Sequence, residues 1–186
     1  MEMTSQEINQ ITSLKEQLES LIPIIVLVNP NDVPSFFDGK TNEDRKMRVM
    51  WAYDQVQRKN VGSVIGAVEI TKTGINNSLF HGHNRYKACL FSVLDQLIEG
   101  GILVHSLKEK DGRYNYILAN RIKLVEDDQY VGIVIKEDHK GNKYYTHTIF
   151  QKKIWKAKSQ AAKQNDTPKL HPDISKVIYS ILNVND

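Results

Sequence analysis

Phe80-His81-Gly82-His83-Asn84-Arg85-Tyr86-Lys87-Ala88-Cys89-Leu90-Phe91-Ser92-Val93-Leu94-Asp95-Gln96-Leu97-Ile98-Glu99-Gly100-Gly101 is the stretch whose reading decides the fold. A polar, histidine-flanked cluster opens it. From Arg85 onward, Ala88, Leu90, Phe91, Leu94, Leu97 and Ile98 recur at helical spacing, leaving Lys87, Asp95 and Glu99 for water. Gly100-Gly101 is a C-terminal stop. Strand-like segments follow at 102–107, 114–125, 130–136 and 143–150, separated by the turn signals Asp111-Gly112 and Asp138-His139-Lys140-Gly141-Asn142. Antiparallel strands in sequence order need only short connections, so the expectation is an α+β fold with helices packed on a four-stranded, or slightly larger, antiparallel meander sheet.

Upstream, Ile8, Ile11, Leu14, Leu18 and Leu21 predict an amphipathic helix over 4–21, with Thr4 or Ser5 as cap. Residues 23–30 read as a short buried strand or an extended segment ending in a turn, and 31–40 as a loop anchored by Phe36 and Phe37. A second helix is expected over 42–59, with Met47, Met50 and Trp51 on one side. Val64–Ile70 reads as a strand, and 71–77 as a turn through Gly74. The organisation expected is an N-terminal helix, strand and loop (1–41), a core (42–150), and a basic segment, linker and C-terminal helix (151–186).

Twenty-five basic and twenty-two acidic residues give a net charge of +3, which permits a nucleic-acid partner without requiring one. A single cysteine, Cys89, excludes an internal disulfide framework and any multi-cysteine zinc site, and its apolar helical setting predicts a buried, inert thiol. The longest apolar run, 21–28, contains Pro23 and is far too short to span a bilayer. A cytoplasmic protein without membrane contact is expected. Oligomeric state is not written in the sequence.

The chain carries no glycine-rich phosphate loop, no histidine–glutamate zinc helix and no serine elbow. His81 and His83 have no identifiable third metal ligand, so neither a metal nor another cofactor is expected. Metal-free cleavage of an RNA phosphodiester needs a base, an acid and cations for the phosphorane charge. Histidine titrates near neutrality and suits the first two roles, while lysine and arginine suit the third. On that chemistry His81, Lys87, Arg121, Thr146 and His147 are the candidate catalytic group. His83, Arg85, Lys136, Lys152, Lys153 and Lys156 are candidate nucleic-acid contacts, the last three from a run with five lysines and no acid over 151–163. Which pleat of the last strand faces inward, His147 with Ile149 or Thr146 with Thr148, stays open.

Val68-Glu69-Ile70-Thr71-Lys72-Thr73-Gly74-Ile75, then His81-Gly82 and Lys87, then Tyr130–Lys136 before Gly141 and Tyr145, together resemble the barnase–EndoU–colicin–RelE-like nucleases. The similarity is to the versions attached to large polyvalent proteins of phages and mobile elements, and covers about 45–150. The resemblance implies helices on a four-stranded antiparallel sheet and a metal-independent, toxin-like or effector ribonuclease. It places His81 at the histidine position of the helix entry and Lys87 at the basic helix position. Thr146 or Thr148 takes the polar position of the last strand, with His147 a substitute. No complete catalytic set carries over. RNA is the partner implied, with an immunity or host protein as a further one. The alternative expectation is a non-catalytic module that engages a host protein or nucleic acid.

Overall fold

The computed structural model describes residues 5–125 and 127–150. The predicted basic segment, linker and C-terminal helix, with Lys152, Lys153 and Lys156, lie outside the described residues.

Helix α1 (Ser5–Ser20) leads to a two-residue strand β1 (Ile24–Ile25) and two 3₁₀ turns (Pro30–Asp32, Ser35–Phe37). Of residues 23–30, expected as a short strand or an extended segment, Ile24 and Ile25 pair with a later strand. Arg48 pins the following loop: its guanidinium donates to the Phe36 and Gly39 carbonyls at 2.7 Å each. Helix α2 (Asn42–Gln55) begins at a capping box in which the Thr41 hydroxyl accepts from the Asp44 N–H and the Asp44 carboxylate accepts from the Thr41 N–H. Its inward face carries Arg48 and Ala52, whereas Met47 and Met50 are exposed, so the expected methionine stripe faces out.

Strands β2 (Asn60–Ser63) and β3 (Gly66–Glu69) form a hairpin where one strand was expected. The largest departure comes next. Residues 72–80 form helix α3 (Lys72–Phe80), capped by the Thr71 hydroxyl accepting from the Gly74 N–H, instead of a turn through Gly74. The long helix expected after His83 is broken into α4 (Arg85–Cys89), a 3₁₀ turn (Leu90–Val93) and α5 (Leu94–Gly100).

Strands β4 (Ile102–Lys108), β5 (Tyr114–Leu124), β6 (Asp127–Glu137) and β7 (Lys143–Phe150) then run antiparallel in sequence order, as the meander reading expects. Gly112 and Gly141 take φ of 88° and 84° in the turns that need them. The sheet is larger and mixed, with seven strands in the order β1-β5-β6-β7-β3-β2 and β4 also pairing with β5. Two of its pairs are parallel, β1 with β5 and β3 with β7. A four-stranded, purely antiparallel sheet is therefore corrected to a curled mixed one.

Both faces of the sheet are covered. Leu118, Ile122 and Leu124 of β5 and Val131, Ile133 and Ile135 of β6 pack with Ala88, Phe91, Leu94, Leu97 and Ile98. On the other face Ile117, Ala119 and Val134 pack with Val104 and with Leu18 of α1. Period-two alternation separates these two sets.

Helix α3 lies along the outer edge of β7. Strand β3 pairs with β7 only at Lys143 and Tyr144, so the rest of that edge is closed by the helix. The approach is so close that a Cβ on Gly74 would stand 2.1 Å from the Tyr145 carbonyl oxygen. Gly74→Ala, which helix propensity alone would favour, is expected instead to destabilise the fold by about 1–3 kcal/mol. Urea denaturation of the two proteins reads the difference; equal or higher stability of the variant would contradict the packing of α3 on β7.

Candidate functional site

The site forms where α3 ends against β7. His81 is the C-cap of α3, and Asn84 caps α4 by accepting from the Lys87 N–H at 2.8 Å. The four residues 81–84 are thus a tight link between two helices, and Lys87 is carried inward on the first turn of α4. Its side chain is only 3% exposed, and its ammonium donates to the Ser78 carbonyl at 2.5 Å. Ser78, fully buried, joins helix to strand: its hydroxyl oxygen accepts from the Tyr145 hydroxyl at 2.7 Å and from the Thr148 N–H at 3.4 Å. Since the Tyr145 proton goes to Ser78, the 2.9 Å contact between Tyr145 and Thr148 is a donation from the threonine hydroxyl.

A bulge in β7 sets the outward side chains. Pairing with β6 steps from Ile135–Tyr145 to Val134–His147, so Thr146 is the extra residue. This answers the question of pleat in a way neither alternative anticipated. Tyr145 and Thr148 share the inward side despite their odd and even numbers. Thr146 gives its hydroxyl proton to the Val134 carbonyl at 3.1 Å. With that proton committed, the 3.2 Å contact between Thr146 Oγ1 and His147 Nδ1 requires the histidine to donate. His147 is therefore the Nδ1–H tautomer. Its Nε2 presents a lone pair and is buried without a hydrogen-bond partner among the described residues.

The His81 ring lies 5.0 Å from that of His147, centroid to centroid, tilted by 44°. Burial, then the charges of Lys87, His81 and Lys136, push the His147 imidazole down to about 3. Burial and the same two lysines hold His81 below its ordinary value. Burial alone pushes the Lys87 ammonium down to about 7. Burial thus keeps the His147 imidazole neutral well below neutrality, while the Lys87 amine exchanges its proton near neutral pH.

Of the residues singled out from sequence, His81, Lys87, Thr146, His147 and the exposed Lys136 come together here. Arg121 does not join them. It donates to the Glu19 and Leu21 carbonyls at the end of α1 and pairs with Asp128 at 2.6 Å, a structural clamp. Arg85 is likewise committed to the 30–38 loop, through the Val33 carbonyl at 2.5 Å and a charge pair with Asp38. His83 is held below its ordinary value by burial and then by Arg48. Cys89 is fully buried, and burial pushes its thiol up to about 12, in keeping with an inert side chain. Ser78 and Tyr145 join the site because residues 72–80 form a helix in place of the turn that Gly74 suggests. The Thr71 cap followed by Gly74 was the signal for the helix.

Among the described residues, no group of three or more histidine, cysteine or acidic side chains is arranged to hold a metal ion. No helix among them is long and apolar enough to cross a membrane.

Two pH dependences follow from the buried bases. Between about 6.5 and 3 the unfolded chain protonates His147 and the folded chain does not, so stability falls as pH drops, by up to ~1.4 kcal/mol per unit from this residue. Lys87 acts in the same sense between its unfolded value of 10.5 and about 7, where stability rises with pH. Denaturation midpoints measured against pH should lose the first slope in His147→Gln and the second in Lys87→Met. Unchanged slopes in the variants would place both titrations elsewhere.

Neither curated proteins nor solved structures provide a match to this chain. The family model described as large polyvalent protein-associated domain 3 matches residues 40–145, more than half of the sequence. The matched span runs from just before the Thr41 cap to Tyr145 and includes Ser78, His81 and Lys87, ending two residues before His147. The chain belongs to the large polyvalent protein-associated domain 3 family.

Proposed function

We propose that the His81–His147 pair is the centre of a metal-independent ribonuclease. The observation that carries this reading is the buried Nε2 of His147, without a partner among the described residues, beside a second imidazole and two lysines. A lone pair so placed lacks the partner that buried nitrogens almost always have, and a substrate hydroxyl supplies one.

In this mechanism Nε2 of His147 accepts the proton of a ribose 2′-hydroxyl. The 2′-oxygen attacks phosphorus, and the bond from phosphorus to the 5′-oxygen breaks. His81, the more exposed of the two rings, gives its proton to that leaving oxygen, and the product is a 2′,3′-cyclic phosphate. Lys87 supplies positive charge from behind and Lys136 from the surface, where negative charge develops on the phosphorane. Requirement for a 2′-hydroxyl makes RNA the substrate and excludes DNA. Arg121, engaged with α1, takes no part in this scheme. The family's association with large polyvalent proteins is compatible with an effector or toxin-like role alongside other activities.

The active form has His147 neutral and His81 protonated. Because His147 titrates at about 3 and His81 below its ordinary 6.5, kcat/KM should rise above pH 3 and fall again before neutrality. Purified protein incubated with total RNA in EDTA is expected to degrade it at mildly acidic pH and to leave DNA intact. His81→Ala and His147→Ala should each lower the rate by about 10²–10⁴-fold. RNA that stays intact across the pH range would end the proposal.

The second reading is a module that binds without cutting. It is favoured by the low basicity of His147, since an imidazole titrating at about 3 is a weak proton acceptor. Retention of intact RNA, or recovery of a host protein from lysate with RNA left whole, would select it.

A further inference from the structure

The described phenylalanines are divided sharply by exposure. Phe37 and Phe91 are 2% and 1% exposed, and Phe36 packs partly against the core, while Phe80 is 75% exposed. Phe80 is the last residue of α3, immediately before His81, and the two rings meet edge to face with centroids 5.9 Å apart. The guanidinium of Arg45 stands 6.0 Å from the Phe80 centroid. Asn76, one turn earlier on α3, accepts from Arg45 at 3.4 Å and holds it there. Arg45, Phe80, His81 and His147 therefore follow one another from the exposed face of α2 to the buried imidazole.

A lone exposed aromatic ring is ordinary, but this one adjoins the site and has a cation tied beside it. Hydrophobic docking of a protein would call for neighbouring apolar side chains. The groups that meet the Phe80 ring are a guanidinium and an imidazole, which stack on bases and contact phosphates. We propose that Phe80, flanked by Arg45 and His81, is the stacking platform for one unpaired base of a single-stranded RNA whose phosphodiester lies over His81 and His147. This rests on the ribonuclease reading for the identity of the phosphodiester, and adds the form of the substrate. In a duplex the bases are stacked on one another and cannot reach the ring, so unpaired strands are selected.

The test separates binding from cleavage by using a fluorescein-labelled, short single-stranded RNA methylated at every 2′-oxygen, which cannot be cut. Fluorescence anisotropy should show about tenfold weaker binding by Phe80→Ala than by the unaltered chain, as expected for loss of one stacked base. Phe80→Trp should bind at least as tightly as the unaltered chain, with its indole emission quenched, and Arg45→Ala should show a smaller loss. The same RNA annealed to its complement should bind more weakly. Because Phe80 is exposed, Phe80→Ala should melt at the unaltered temperature, so lost binding is not lost folding. Equal binding by Phe80→Ala, equal affinity for duplex, or no binding of the single strand at all would overturn the platform. If RNA is left uncut while single-strand binding still depends on Phe80, the platform stands and the ribonuclease reading falls. If RNA is cut and Phe80→Ala cuts it with unchanged kcat/KM, the reverse holds.

Discussion

Everything near the site depends on how the outer edge of β7 is closed. A strand edge presents N–H and C=O groups that need partners, and β3 supplies them only at Lys143 and Tyr144. Beyond that point a helix takes over. Gly74 lets α3 approach the Tyr145 carbonyl, and the Ser78 hydroxyl accepts from both the Thr148 N–H and the Tyr145 hydroxyl. A helix placed by these contacts must end beside His147, and its C-cap is His81. The juxtaposition of two imidazoles is thus a consequence of edge closure.

The same closure brings an ammonium into the interior. Lys87 follows from the short link between α3 and α4, and its donation to the Ser78 carbonyl satisfies a group near the end of α3. Burying a cation is costly, and that cost is visible in its value near 7. Folding stability alone gives no reason to keep such a residue, since an apolar side chain of similar size would avoid the penalty. Its charge lowers the basicity of His147, His81 and His83. The bulge at Thr146 completes the arrangement by fixing the tautomer of His147 and leaving Nε2 without a partner among the described residues.

Opposite this region the sheet is conventional. Arg85 and Arg48 cap carbonyls of the 30–39 loop and Arg121 caps carbonyls at the end of α1, which is what a planar guanidinium with several donors does well. From the sequence, Arg121 and Arg85 look like phosphate or nucleic-acid contacts as readily as clamps. The geometry makes each of them a clamp, so the positive charge beside His81 and His147 comes from Lys87 and Lys136.

What the sequence by itself determined is the local periodicity: α1 and α2, the four-strand meander, the turns at Gly112 and Gly141, and the inward row Val131, Ile133 and Ile135. These follow from side-chain spacing, which repeats every two or 3.6 residues whatever lies across the core. His81, Lys87 and His147 stand out in the sequence by side-chain chemistry as candidates, although the burial of Lys87 does not. The sequence did not reveal α3, because a glycine and two asparagines over 74–77 mask a helix whose stability comes from packing on β7. Nor did it reveal the parallel pairings of β1 and β3, which join segments distant along the chain. Register, the Thr146 bulge and the proximity of His81 to His147 were decided only in three dimensions. Each depends on which backbone groups find partners across the sheet, a property that no single segment contains.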